Sequence, residues 1–163
     1  MKRIITVFVL SITFLILDNT VIPFINIKEF YPSLLFIFAI SYSIAEDENS
    51  AIQIGILSGV LQDIYFQGFF GINCFVNMIL CFLASQIGKV IFKEKKLIPI
   101  LTIFAASILK GVLIYSFSYV LKFYMEPAKI IFTSIYNMLI GIFVYAYVYK
   151  LSTKEYMKKD WKF

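Results

Sequence analysis

The stretch Gly55–Gly71, GILSGVLQDIYFQGFFG, decides the fold of this chain. Within it, Gly55, Gly59 and Asp63 stand four residues apart in an apolar segment, so a helix places all three on one face. Small residues at this spacing allow a second helix to approach closely inside a membrane. A carboxyl group on that face is costly in lipid, so we expect Asp63 to face protein, water or a partner.

The apolar pattern stops after Asp63 and resumes beyond Gly71, which predicts a turn that contains Gly68 and Gly71. Two interpretations of the glycine face are open at this point. Gly55 and Gly59 either let helices of this chain pack tightly or receive a helix of another protein. In the same way, Asp63 either accepts hydrogen bonds from the backbone amides of the turn or lies at the rim of a partner's binding surface.

The composition of the chain is that of an integral membrane protein. Of its 163 residues 61% are hydrophobic and the mean hydropathy is +0.86, whereas a soluble domain of this length needs more polar surface. The net charge of +5 does not indicate nucleic-acid binding, because the basic residues stand in short clusters beside apolar runs. We expect one membrane domain over residues 1–163, with the first apolar run kept as a helix rather than removed as a signal peptide.

The apolar runs predict an all-α bundle of six transmembrane helices, because a helix needs about 20 mostly apolar residues to cross a bilayer. The predicted spans are 4–25, 31–45, 50–66, 70–92, 97–124 and 128–151. The second and third runs are short, so they either cross the membrane or pack as tilted segments inside the bundle. Pro32 stands at the start of the second run, a position that a first helical turn tolerates well.

Six spans place both termini on the same side, and the basic residues indicate that this side is the cytoplasm. Eleven basic residues flank the side of the termini, namely Lys2, Arg3, Lys89, Lys93, Lys95, Lys96, Lys150, Lys154, Lys158, Lys159 and Lys162. Three flank the other side, namely Lys28, Lys122 and Lys129. The chain is therefore predicted to be a multi-pass protein of the cytoplasmic membrane, with its N- and C-termini inside.

Three ionisable residues within the apolar runs, Asp18, Asp63 and Lys110, come to a similar depth when the helices are laid across a bilayer. Burying an ion alone is costly and pairing lowers that cost, so a direct Asp63–Lys110 or Asp18–Lys110 contact is a hypothesis. The alternatives are that Asp18, beside Asn19 and Thr20, faces the outer interface, and that Lys110 extends along its stem toward the headgroups.

Asn73 and Asn77 lie one turn apart on the fourth predicted helix. Amides inside a membrane form hydrogen bonds to neighbouring helices, so these two residues either join helices or contact a ligand. Cys74 and Cys81 lie seven residues apart on the same helix, too far for a disulfide bond, and are predicted to be core or lipid-facing thiols.

The chain does not contain the residues of a common catalytic site. It has no histidine, which excludes a Ser-His pair and a histidine-based metal site. The sequences around Asp18 and Asp63 do not look like the motifs of intramembrane aspartyl proteases. We therefore expect no enzyme, no metal and no cofactor.

One segment resembles the bacterial family of the rod shape-determining protein MreD. That family is identified by a helix started by proline, then a G-x-x-x-G-x-x-x-D helix, then a glycine turn. The matching residues here are Pro32, Gly55, Gly59, Asp63, Gly68 and Gly71. The specific part of the resemblance covers residues 31–77. Many members have two apolar residues before the acid, and this chain has Gln62 in that place instead.

The resemblance implies a non-enzymatic scaffold of the cell-elongation complex, with a role in rod shape and peptidoglycan synthesis. The implied partners are MreC, which spans the membrane once, and through the complex MreB filaments, RodA and a class B penicillin-binding transpeptidase. The partner's span is expected to lie in a groove lined by Gly55 and Gly59, with Asp63 near its outer rim and the turn at Gly68 and Gly71 beside it. The basic loop at 93–96 and the tail at 154–163 either meet lipid headgroups and cytoplasmic partners or simply reflect topology.

The family is also similar in fold to the substrate-binding subunits of energy-coupling-factor vitamin transporters, which are bundles of six membrane helices. An alternative function is therefore that of such a subunit. It requires an outward-facing pocket with several convergent polar groups. Asp63, Asn73, Asn77 and Tyr115 are the candidates for supplying them.

Overall fold

The computed structural model describes residues 2–25, 31–65, 70–91, 97–122 and 126–154. Over these ranges the chain is helical and contains no strand, which confirms the all-α prediction. The helices are α1 (Lys2–Thr20), α2 (Ile22–Ile25), α3 (Leu34–Ala45), α4 (Glu48–Tyr65), α5 (Ile72–Val90), α6 (Leu97–Val120) and α7 (Ala128–Ser152). Gly68, the loop at 93–96 and the tail from 155 onward lie outside the described residues.

Four of the described segments are long and apolar enough to cross a membrane. They are Arg3–Phe24, which combines α1 and α2, Ile72–Val90, Leu97–Val120 and Ala128–Ser152. The helix α3 is apolar but has only 12 residues. At 1.5 Å per residue it is ~18 Å long, shorter than the hydrocarbon core of a bilayer.

The short helix α3 forms the centre of the bundle. Its N-cap is Ser33, whose hydroxyl accepts a hydrogen bond from the amide of Phe36, and every residue from Leu35 to Ile44 is buried. It packs against α1, α4, α5, α6 and α7. Because its side chains are buried on every side, α3 is shielded from lipid by the helices around it.

Around α3 the helices pack as neighbours in a nearly continuous ring. The most extensive packing is between α4 and α5, followed by α6 with α7, then α5 with α6, and α1 with α4. Both α1 and α7 pack on α3, but they are not a packed pair in the described part of the chain. The ring is therefore least complete between α1 and α7.

One end of the bundle is joined by exposed and half-buried ion pairs. The guanidinium of Arg3 donates to Glu46, at 2.9 Å, and to Ser50, at 2.8 Å, and its Nε donates to the hydroxyl of Tyr42. At the same end, Lys89 on α5 pairs with Glu48 on α4. These contacts bring together the start of α1, the end of α3, the start of α4 and the end of α5.

Candidate functional site

The glycine face of α4 is filled by α5 of the same chain. A Cβ atom placed on Gly59 would lie 2.3 Å from the Cα of Cys74, and one on Gly55 would lie 2.8 Å from the Cα of Met78. These distances are to backbone, so the two helices have no room for a side chain between them. The prediction of an open groove for a partner's span along Gly55 and Gly59 is wrong, because the small residues admit the next helix of this chain.

The carboxylate of Asp63 caps the first turn of α5. Its Oδ1 accepts from the amide of Asn73 at 3.1 Å and from Asn73 Nδ2 at 3.0 Å. Its Oδ2 accepts from the amides of Gly71, at 2.9 Å, and Cys74, at 3.0 Å. The first amides of a helix have no partner within the helix and carry its positive dipole end, so a carboxylate is stabilised there. Asp63 is therefore buried in the α4–α5 connection, not placed at the rim of a groove.

Gly71 precedes α5 in a backbone conformation that favours glycine. Its φ angle is 105°, in the left-handed region, and a Cβ atom there would meet nothing within 4 Å. This glycine is required by its backbone and not by a close neighbour. Gly68 belongs to the part of the predicted turn that the structure does not describe.

The side chain of Lys110 turns into the bundle. Its Nζ donates to Gln62 Oε1 at 2.6 Å and to Asn77 Oδ1 at 2.9 Å, and it lies 4.4 Å from the centre of the Phe36 ring. Among the described residues no carboxylate lies within 4.0 Å of this ammonium group. The hypothesis of a direct contact with Asp63 or Asp18 is therefore wrong, and Lys110 does not extend toward the headgroups either.

A buried group of amides and hydroxyls surrounds the Lys110 ammonium. Asn77 donates through Nδ2 to Gln62 Oε1, at 2.9 Å, and to Ser58 Oγ, at 3.2 Å. Asn77, Ser58 and Gln62 are all buried. Asn73 and Asn77 thus both join α5 to α4, which agrees with the interpretation of helix-joining amides.

Asp18 caps the N-terminus of the central helix α3. Its Oδ1 accepts from the amide of Leu34 at 2.6 Å, and its Oδ2 accepts from the amide of Leu35 and the hydroxyl of Ser33, each at 3.1 Å. Asp18 therefore faces the protein and not the outer interface. The neighbouring Asn19 donates to a carbonyl of its own helix.

Two important polar residues were not recognised in the sequence as part of this site. One is Gln62, which stands out in the sequence only as a departure from the family pattern, and the other is Asn137 of α7. Asn137 accepts from the amide of Ser33 at 3.0 Å and donates to Ser107 Oγ at 3.1 Å. The available signals were the spacing of Ser58 and Gln62, one turn apart beside the glycine face, and a single amide in the apolar α7.

Nearly all buried polar side-chain atoms of the described residues have hydrogen-bond partners, with Ser41 Oγ as the exception. Within the same residues no group of three or more His, Cys, Asp and Glu side chains is placed to hold a metal ion. The carboxylates, amides and ammonium group described above therefore bind one another.

A surface cavity of about 340 Å³ lies near the start of α3, between α2 and α7. We call it the α2–α7 cavity. Its lining is almost entirely apolar and consists of Ile22, Pro32, Tyr136, Leu139, Ile140 and Phe143. The cavity thus lies between α7 and the segment that continues α1.

The comparison with protein families identifies the relatives of this chain. The family model for the rod shape-determining protein MreD matches residues 1–155. The chain belongs to the MreD family. It is thus a rod shape-determining, multi-pass membrane protein, a class that is not known for catalysis. No curated protein and no solved structure matches the chain. The similarity of this MreD-family fold to vitamin-transporter subunits stays a prediction.

Proposed function

We propose that this member of the MreD family is a non-enzymatic scaffold of the cell-elongation complex. It would hold the single span of MreC in the membrane and, through the complex, connect MreB filaments to RodA and a class B transpeptidase. The observation that carries the proposal is that the interior polar groups, from Asp18 to Lys110, are engaged with one another. What the protein offers to other molecules is then its apolar exterior, which suits helix–helix association in lipid.

The proposed docking surface for the MreC span is the side of the bundle between α1 and α7. These helices both pack on α3 without packing on each other in the described residues. The α2–α7 cavity lies on this side, and Phe143 at its edge is 78% exposed. A partner helix that enters here would complete the ring around α3 and bury this aromatic side chain, as aromatic anchors do in interfaces.

The glycine and carboxylate residues first assigned to partner binding would support this surface indirectly. Gly55, Gly59, Asp63 and Gly71 join α4 to α5, and both helices pack on α3. The central helix α3 in turn packs against α1 and α7. We propose that damage to the α4–α5 pair weakens the complex by deforming the scaffold and not by removing a contact with the partner.

The proposed orientation places both termini in the cytoplasm. It is supported by the excess of basic residues on that side of the chain, eleven against three, and by the location of Arg3 and Lys89 at one end of the bundle. MreB filaments would then approach this end. The capped starts of α3 and α5 would lie toward the peptidoglycan machinery outside.

The function of a vitamin-transporter subunit receives less support from the geometry. A vitamin needs several convergent polar groups in a pocket. Asp63, Asn73 and Asn77 are instead committed to hydrogen bonds within the α4–α5 pair and with Lys110. The α2–α7 cavity is lined almost entirely by apolar groups.

Copurification tests the scaffold. The full-length protein is coexpressed with its cognate MreC, extracted in mild detergent and captured, and the retained MreC is quantified. We expect retention by the wild type and a loss of about tenfold for Phe143→Ala, since the change removes an aromatic anchor. The matched control is Phe75→Ala on α5, which removes another exposed phenylalanine, at 53%, from a helix that is not a packed neighbour of α1 or α7 in the described residues.

The outcomes separate the two functions. If Phe143→Ala and Phe75→Ala reduce the retained MreC equally, the α1–α7 surface is refuted as the docking surface, while the scaffold function is not. No retention of MreC by the wild type would refute the scaffold. Copurification of a vitamin, or capture by an ATPase-coupled transporter module, would establish the rival function.

A further inference from the structure

A continuous series of hydrogen bonds joins Lys110 on α6 to Asp18 on α1. Lys110 Nζ donates to Gln62 Oε1 at 2.6 Å, and Gln62 Nε2 donates to Ser33 Oγ at 2.8 Å. The hydroxyl of Ser33 then donates to Asp18 Oδ2 at 3.1 Å. The two ionisable residues do not touch, yet one amide and one hydroxyl are enough to connect them.

Every hydrogen bond in this series points in the same direction, from the cation toward the carboxylate. The orientation of the Gln62 amide is set independently, because its Oε1 also accepts from Asn77 Nδ2. The Ser33 hydroxyl is likewise fully used, since it accepts from Gln62 and from the amide of Phe36 while it donates to Asp18. Aligned hydrogen bonds of this kind polarise one another in a medium of low dielectric constant.

We infer that Lys110 and Asp18 form an ion pair that is relayed through Gln62 and Ser33. This relay holds the outer end of α1 against the core. Lys110 and Asp18 are both partly buried, and a cation or a carboxylate withdrawn from water is costly in a membrane, so the relay lets each stabilise the other. Its four residues come from α1, the N-cap of α3, α4 and α6. The peripheral α1 is thereby connected to α6, a helix with which it is not a packed pair in the described residues.

Asp63 does not take part in this relay, although it lies on the same helix as Gln62. Its four hydrogen bonds all come from Gly71, Asn73 and Cys74 at the start of α5. None of these donors bonds to Lys110. The chain therefore supplies a matched control, namely a second helix-capping carboxylate that is not joined to the lysine by hydrogen bonds.

Double-mutant cycles on the purified protein in detergent test the relay. We expect Asp18→Asn and Lys110→Gln each to lower the thermal midpoint by ~5 °C, and the double variant to lower it by little more than either single change. Lys110→Gln is chosen because glutamine can still donate hydrogen bonds to its neighbours in the core. Asp63→Asn combined with Lys110→Gln should lower the midpoint by the sum of the single effects.

The Gln62→Leu background shows whether the coupling runs through the relay. In that background we expect the effects of Asp18→Asn and Lys110→Gln to become additive. Additive effects in the wild-type background would overturn the inference. Coupling that survives Gln62→Leu, or that appears equally for Asp63, would overturn it as well, since the two charges would then interact directly through space.

Amide hydrogen exchange gives a second readout. The amides of Leu34 and Leu35 bond to Asp18 and make no hydrogen bond with Lys110. We expect Lys110→Gln to speed their exchange by about tenfold, because the relay that holds Asp18 in place is weakened. Unchanged exchange at these amides would mean that Lys110 acts only on its immediate neighbours. Both measurements use the chain without MreC, so they are independent of the proposed scaffold function.

Discussion

Two helix-capping carboxylates, the buried Asp63 and the partly buried Asp18, perform the same local chemistry in different structural settings. Asp63 and Asp18 each lie near the end of one helix and accept backbone hydrogen bonds at the start of a later one. The bonds of Asp63 stay within a single hairpin, between residues 8 to 11 positions apart. Those of Asp18 lead onward through Ser33 to α4 and α6.

The difference shows how one residue type serves two purposes in a membrane bundle. A carboxylate in a helical hairpin stabilises a contact between two helices that are already close because they follow each other in the chain. A carboxylate between non-consecutive helices fixes an arrangement that the order of the chain leaves open. We expect the hairpin carboxylate to act alone and the Asp18 carboxylate to act as part of a network.

The largest effect is expected at Gly59, where α4 and α5 approach each other closely. Gly59→Leu places a side chain where even a Cβ atom would lie 2.3 Å from the backbone of α5. We expect a loss of folding free energy of at least about 3 kcal/mol, enough to abolish the monodisperse protein in detergent, because the helices must separate. Size-exclusion chromatography measures the fraction of the protein that stays monodisperse. A folded Gly59→Leu protein would show that α4 and α5 can move apart cheaply.

Removing the hairpin carboxylate should have the next largest effect. Asp63→Ala leaves the amides of Gly71, Asn73 and Cys74 without their acceptor in a buried place. We expect a loss of about 3 kcal/mol in the free energy of unfolding, measured by thermal or denaturant unfolding in detergent. Asp63→Asn, which keeps one acceptor oxygen, should lose less. Equal losses would indicate that the negative charge, and not the hydrogen bonds, stabilises the cap.

The relay from Lys110 to Asp18 is tested at Gln62, its central amide. Gln62→Leu removes the acceptor of Lys110 and the donor to Ser33, so we expect a loss of about 2 kcal/mol in the same unfolding measurement. Gln53→Leu is the matched control, because it makes the same change at an exposed position of α4. It should leave stability unchanged. Similar losses from the two variants would refute a special role for Gln62.

The smallest expected effect concerns the turn before α5. Gly71→Ala forces an alanine into the left-handed region, where φ is 105°, but the new methyl group meets no neighbour. We expect a loss of about 1 kcal/mol from backbone strain alone. Gly71→Asn should lose less, since asparagine tolerates this region better. The reverse order in thermal unfolding would contradict a purely conformational role for this glycine.

Much of the local structure could be predicted from residues in order along the chain. The four-residue spacing of Gly55, Gly59 and Asp63 places them on one helical face, and the structure has them there. The break before Gly71 predicts a turn, and its φ angle confirms that glycine is needed. The hydropathy predicts an all-α membrane protein, which the structure and the family confirm.

The partners of these residues could not be predicted in the same way. The glycine spacing fits a helix of this chain and a helix of another protein equally well, and only the structure shows that α5 of this chain fills the face. A direct contact of Lys110 with a carboxylate is one hypothesis that its depth allows, and its hydrogen-bond acceptors are instead Gln62 and Asn77. Two side chains at a similar depth in the membrane meet only if their helices are rotated to face each other, and depth alone does not specify that rotation.

The sequence by itself determined that the chain is helical, that it belongs in a bilayer, and which residues share a helical face, because hydropathy and a period of 3.6 residues are local properties. Only the tertiary structure decided that the short α3 becomes the enclosed centre, that the glycine face closes internally, and that Lys110 reaches Asp18 through two intermediaries. The physical reason is that helix packing is decided by which surfaces fit together in three dimensions, and several pairings satisfy the same sequence pattern.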